Sequence, residues 1–194
     1  MRRLSPLILA IAVCFAQSDA VAAAEDAKQG PHSVPLAGGK MSMTAPATWT
    51  RKKPKVRFIE HEFALAAAKG DTTGGRLTIM QAGGGVKANV ARWQGQFAQP
   101  KGQTAKVSKQ KIAGQTVHLI DIAGTYSDRR GPFAPAVKRP DYRMLAAIIE
   151  AQTTRNGGKV PLGTYYIKLY GPKKTIASHE KDFKSMVKSL KQAK

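Results

Sequence analysis

Sulfur chemistry is almost absent from this chain, which has one cysteine, Cys14, among 194 residues. That excludes a disulfide scaffold and every Cys-rich metal fold. Acids are scarce as well: 12 Asp and Glu stand against 32 Lys and Arg, a formal charge of +20. Few carboxylates therefore remain for paired acid–base chemistry. Aromatics make up only 7% of the residues, yet 42% are hydrophobic, enough to offset chain entropy and exclude wholesale disorder. No uninterrupted apolar run reaches the ~20 residues that cross a bilayer as a helix. The length fits one domain with a core of its own.

What is present begins with an export pattern. Arg2 and Arg3 supply a positive start, Leu7 to Ala16 an apolar stretch, and Ala22-Ala23-Ala24 a small-residue cleavage site. The expectation is a signal peptide over 1–24 and a periplasmic or secreted product. Lipidation at Cys14 is disfavoured because Val13 stands where a small residue is wanted, and Ser5-Pro6 argues against a twin-arginine signal. Cleavage near Ala24 removes Arg2, Arg3 and Asp19, leaving 30 basic and 11 acidic side chains and no thiol. Thiol catalysis is then excluded.

Residues 25–39, polar and rich in Gly and Pro, read as a flexible leader to a single domain over 40–194. Alternation predicts strands over 41–45, 56–65, 76–81, 106–112, 116–126 and 164–170, with a long apolar strand over 142–152. Val86, Val90, Trp93 and Phe97 recur at helical spacing, as do Phe183, Met186, Val187 and Leu190 in a run that starts at Ile176. Short turns between strands favour antiparallel pairing, and apolar helix stripes need a sheet to cover. The expected fold is α+β: a single antiparallel sheet of about six to seven strands flanked by two main helices.

Pro46-Ala47-Thr48-Trp49, the segment from Gly83 to Phe97, and Tyr165 to Pro172 leading into a helix that finishes at Ser189-Leu190 together resemble a group of uncharacterised exported bacterial proteins. More distantly, they resemble the PsbP-like superfamily, whose founder is an extrinsic subunit of the photosynthetic oxygen-evolving complex. The resemblance covers roughly residues 40–192. It implies an antiparallel sheet flanked by helices and a role in binding other macromolecules, and it brings no catalytic residue with it.

Motifs for chemistry are thin. Gly83-Gly84-Gly85-Val86-Lys87-Ala88 follows a strand and opens a helix, so its N–H groups suit an anion. No acid lies near position 105 to hold a ribose and no Gly-Lys-Ser/Thr follows, which leaves a weak anion site at Gly83, Gly84 and Gly85 and no cofactor. The four histidines are scattered. In Glu60-His61-Glu62 alternation sets His61 opposite both glutamates, so no metal site is expected. No Gly-x-Ser-x-Gly elbow occurs, and His118 and Asp121 fall on opposite faces of their strand. No catalytic residue is assigned.

The basic clusters are the anomaly. Arg51, Lys52, Lys53, Lys55 and Arg57 occupy seven positions, and Arg129, Arg130, Lys138 and Arg139 surround Phe133 in an expected 15-residue connection from Ser127 to Asp141. Lys181, Lys184, Lys188 and Lys191 form a third stripe. A solvated surface would account for them, but a charge near +19 also collects anionic partners. The expectation is a non-enzymatic binding module for an envelope polymer, an anionic lipid or an acidic protein, with the 129–139 connection as its main contact. Nucleic acid ranks low, because no binding motif for it is present. The rival is an envelope enzyme with an unrecognised site in a cleft between sheet and helix.

Overall fold

The computed structural model describes residues 30–129 and 134–193. Five short strands come first: β1 (His32–Leu36), β2 (Met41–Ala45), β3 (Thr50–Lys52), β4 (His61–Leu65) and β5 (Gly75–Gln81). Helix α1 (Val86–Gln94) and the two-residue β6 (Phe97–Ala98) follow. Then come β7 (Lys106–Ile112), β8 (Gln115–Asp128), β9 (Val137–Arg155) and β10 (Gly158–Pro172). Helices α2 (Lys173–Ser178) and α3 (Glu180–Lys188) and the short β11 (Lys191–Gln192) complete the described chain.

All strand pairs are antiparallel, as expected, but there are two sheets rather than one. Eight strands form the larger in the order β3-β4-β5-β10-β9-β8-β6, with β7 also pairing β8, while β1-β2-β11 forms a second sheet. The smaller sheet corrects the flexible leader, because Val34 and Leu36 of β1 are buried against the main core. Pro35 obscured that strand in the sequence. It is tolerated because β1 is an edge strand, where a missing N–H disturbs only one side.

The large sheet is covered on both faces, which explains why its central strands read as continuous apolar runs. On one face Leu145, Ala147 and Ile149 of β9 and Tyr165, Ile167 and Leu169 of β10 meet the small sheet, α2 and α3. On the other, Met144, Ala146, Ile148 and Tyr166 meet Trp93 of α1 and Phe97. Helix α1 stops short of the expected stripe: Gly95 closes it, and Phe97 reaches the same core from β6 instead.

The C-terminal run is two helices rather than one, broken at His179. The Trp49 indole donates to His179 Nδ1 at 3.3 Å, so Nε2 carries the proton and donates to Ala66 O at 3.0 Å. Those bonds hold the ring between the main sheet and the helices. Only 61–65 of the expected 56–65 strand is extended. Ile59 N–H donates to Val56 O at 3.0 Å and turns the chain before it reaches β4.

Candidate functional site

Strand register separates the basic clusters. Lys52 pairs with Glu62, His61 with Ile79, and Gln81 with Tyr165. The end of β3, the start of β4 and the end of β5 therefore share the upper end of the sheet. Asp128 pairs with Val137, and Pro172 with Tyr142, at the opposite, lower end. The cluster at 51–57 is consequently at the upper end and that at 129–139 at the lower. The two cannot form one surface.

The lower cluster also differs from the connection expected there. Strand β8 runs to Asp128 and β9 begins at Val137, so both ends of the expected connection from Ser127 to Asp141 belong to a strand pair rather than to a loop. The register slips between Gly124 and Tyr126, so β9 holds an extra residue opposite them and Asp141 takes φ +52°. Lys138 Nζ donates to Ser127 Oγ at 2.7 Å, and Arg139 pairs with Asp128 at 3.4 Å. Arg129 is exposed, whereas Arg130 and Phe133 lie outside the described residues.

At the upper end the cations behave differently from one another. Arg51 is structural: it donates to Ser33 O at 2.6 Å and to His61 Nδ1 at 3.2 Å, and its guanidinium stacks 4.8 Å from the Phe63 ring centre. His61 then donates through Nε2 to Pro35 O at 2.7 Å, so the pair ties the main sheet to β1. Glu62, pointing the other way, takes two bonds from Arg76 at 2.9 and 3.0 Å. Those bonds hold its carboxyl below the usual range, with burial opposing and nearby Lys55 adding a smaller pull the same way. His61 and the two glutamates do not converge. Among the described residues no group of three or more His, Cys, Asp or Glu could hold a metal ion.

Lys52, Lys53, Lys55 and Arg57 are exposed, and their side chains form no hydrogen bond or ion pair with other described residues. Beside them stand two apolar side chains turned into solvent, Val56 at 39% and Phe58 at 64% exposure. The base of this connection is firm. Ile59 is buried, and Glu60 N–H donates to Ile79 O at 2.9 Å. Arg57 and Phe58 share a shallow hollow of about 550 Å³ with Gln81, Gly83, Gly163 and Thr164.

That hollow reaches the glycine turn. Gly84 takes φ +86°, a conformation that costs a glycine little. The carbonyls of the turn are already occupied: Tyr166 donates to Gly84 O at 2.6 Å, and the buried Asn89 amide donates to Gly85 O at 3.2 Å. Gly83, Gly84 and Gly85 are thus braced from beneath as a strand-to-helix turn beside the basic connection.

The cleft expected by the rival reading exists between β7, β8 and α3, with a volume of about 190 Å³. Val107, Leu119, Leu145 and Phe183 line it, and Asp121 and Glu180 stand at its rim. Both acids are engaged, because Arg143 binds Asp121 through two bonds of 2.8 Å and Glu180 at 2.8 Å. Lys184 and then Arg143 hold the Glu180 carboxyl low, against the opposing effect of burial. His118 faces away, with its Nε2 3.7 Å from Glu150, as strand alternation predicts.

Sequence reasoning overlooked Lys168. Its ammonium group lies 5.7 Å from the Trp93 ring centre and 5.5 Å from that of Tyr170, with Gln96 Oε1 at 3.4 Å. Burial, then Arg92 and Arg76, lower its pKa to about 8. The available signal was its place in the alternating Tyr166-Ile167-Lys168-Leu169-Tyr170, which assigns it to the Trp93 face.

No family model matches this chain, and no curated protein does. Several solved structures overlap it loosely. Cyanobacterial PsbP from Synechocystis is 11% identical with a TM-score of 0.47, covering 84% of this chain and 93% of its own. PA94 of Pseudomonas aeruginosa, a protein of unknown function, is 15% identical at 0.43, covering 84% and 98%. The Ran-binding protein Mog1p of Saccharomyces cerevisiae is 11% identical at 0.42, covering 84% and 95%. Overlaps this loose assign no function to the chain.

Proposed function

We propose that this chain is an exported, non-enzymatic binding module for an anionic macromolecule or surface. Its principal contact is the upper end of the large sheet. The observation that carries this reading is the connection between β3 and β4, where Lys53, Lys55 and Arg57, with Lys52 at the end of β3, have no ion pair among the described residues and stand beside two exposed apolar side chains on a base fixed by Ile59. Unpaired cations at a surface keep their full field for a partner, and a rigid base limits the entropy lost on binding. The lower cluster is weaker on the first count, since Lys138 and Arg139 already have partners.

Retention on a dextran sulfate column tests it. A variant with Lys52, Lys53, Lys55 and Arg57 replaced by Ser should elute at distinctly lower salt than one with Arg129, Arg130, Lys138 and Arg139 replaced. Both remove four charges, so equal losses would mean that only total charge matters and the upper end is a solvated surface.

A further inference from the structure

The same connection carries more than charge. Its sequence alternates cation and apolar residue, Lys55-Val56-Arg57-Phe58, and the turn closed by Ile59 N–H on Val56 O presents both apolar side chains outward. An aromatic ring that is 64% exposed forgoes burial that the core could have given it. Charge alone leaves it unexplained. A hydrated polyanion matches the cations and offers nothing to Val56 and Phe58. A bilayer with acidic headgroups offers phosphate to the first and, a few ångströms deeper, hydrocarbon to the second.

We infer that the 53–60 connection docks on an anionic phospholipid bilayer, with Phe58 and Val56 entering the boundary between headgroups and acyl chains. Lys52, Lys53, Lys55 and Arg57 lie on the phosphates. This rests on the anionic-partner reading and names the partner. Pro54 and the bond from Glu60 to Ile79 O keep the tip shaped before contact, so little order has to be acquired on the membrane. The exposed Glu60 carboxylate at the foot of the tip opposes docking and sets an edge to the contact. Charge and insertion act together, because neither a few cations nor one ring holds a protein on a bilayer by itself. Each cation should raise affinity for acidic vesicles about fivefold at low salt.

The test is co-sedimentation of the full chain with vesicles containing phosphatidylglycerol, with pure phosphatidylcholine vesicles as the neutral control. A Val56→Ser, Phe58→Ser variant keeps every charge. Its binding to acidic vesicles should fall about tenfold or more, while its retention on dextran sulfate stays that of the parent. Both side chains are exposed, and an unchanged circular dichroism spectrum would confirm that the variant folds. Undiminished vesicle binding by this variant would overturn the insertion. Retention of the parent on dextran sulfate without binding to acidic vesicles would overturn the lipid partner and leave the anionic reading intact. Absence of both would overturn the two together. A second readout uses Phe58→Trp. Trp49 and Trp93 are each 1% exposed, so quenching by brominated acidic lipids should come from the introduced indole alone. Lack of quenching in the vesicle-bound state would also sink the proposal.

Discussion

Lys168 shows how far one side chain can depart from what its residue type suggests. The fold places its ammonium between the Trp93 and Tyr170 rings with a single distant amide oxygen, and burial lowers its pKa from an ordinary 10.5 to about 8. Between those values the unfolded chain binds more protons at this site than the folded one does. The contribution of this site to stability therefore rises as pH climbs from about 8 to about 10.5, and the full cost of desolvating the ammonium is present below 8. Urea unfolding across pH 7 to 10 should show the parent gaining stability relative to Lys168→Met. Tyrosines whose pKa values burial raises, such as Tyr126 at about 12, are common to both proteins and cancel. Parallel curves would mean that the ammonium is effectively hydrated. The same scale separates Arg51 from its neighbours. Five cations in seven positions look alike in sequence, but only Arg51 stands where strand pairing brings it against Ser33 O and the Phe63 ring. Which member of a charge run is structural depends on a partner 18 residues away, and no local pattern encodes that.

Elements whose residues meet one environment along their length were legible; elements defined by a distant partner were not. Strands 41–45 and 106–112 were read to the residue, because alternation and flanking Pro or Gly bound them. The C-terminal amphipathic face was equally clear, since Phe183, Met186, Val187 and Leu190 are all buried against the sheets. Replacing Leu190 with Ala should cost about 2–5 kcal/mol of unfolding free energy, measurable as a shift in urea midpoint with unchanged slope. A loss below about 0.5 kcal/mol would mean the site collapses around the smaller side chain or was never tightly packed. Strands β3, β6 and β11, of three, two and two residues, have no periodicity to read, and they exist only because a longer strand offers them an edge. The break at His179 belongs to the same class, since the residue there is bound by the indole of Trp49, 130 positions earlier. In the candidate site, the cations and Phe58 were visible in sequence, but alternation placed Phe58 within a strand. The turn that exposes it depends on Ile59 being buried and Glu60 being pinned to β5.

Across the whole molecule, a net charge of +20 could act as a uniform coat or as a directed surface. The register decides part of this by placing the two clusters at opposite ends of one sheet, so a flat anionic surface cannot engage both at once. Docking by the upper end therefore fixes the orientation of the protein. The chain itself offers a convenient test, because its one cysteine lies at position 14, ahead of the described domain, and replacing Cys14 with Ser leaves no thiol. In that background Val56→Cys places a thiol at the upper tip and Thr73→Cys places one in the exposed turn before β5 at the lower end. With an environment-sensitive fluorophore attached, acidic vesicles should shift the emission of the first to the blue and leave the second unchanged. Added salt should reverse the shift by screening the cations that bring the tip to the surface. Equal shifts at both positions would describe a protein that lies on the membrane in many orientations, drawn by its total charge. A shift at position 73 alone would move the contact to the lower end, where Arg129 and the β8–β9 hairpin would then be the residues to examine.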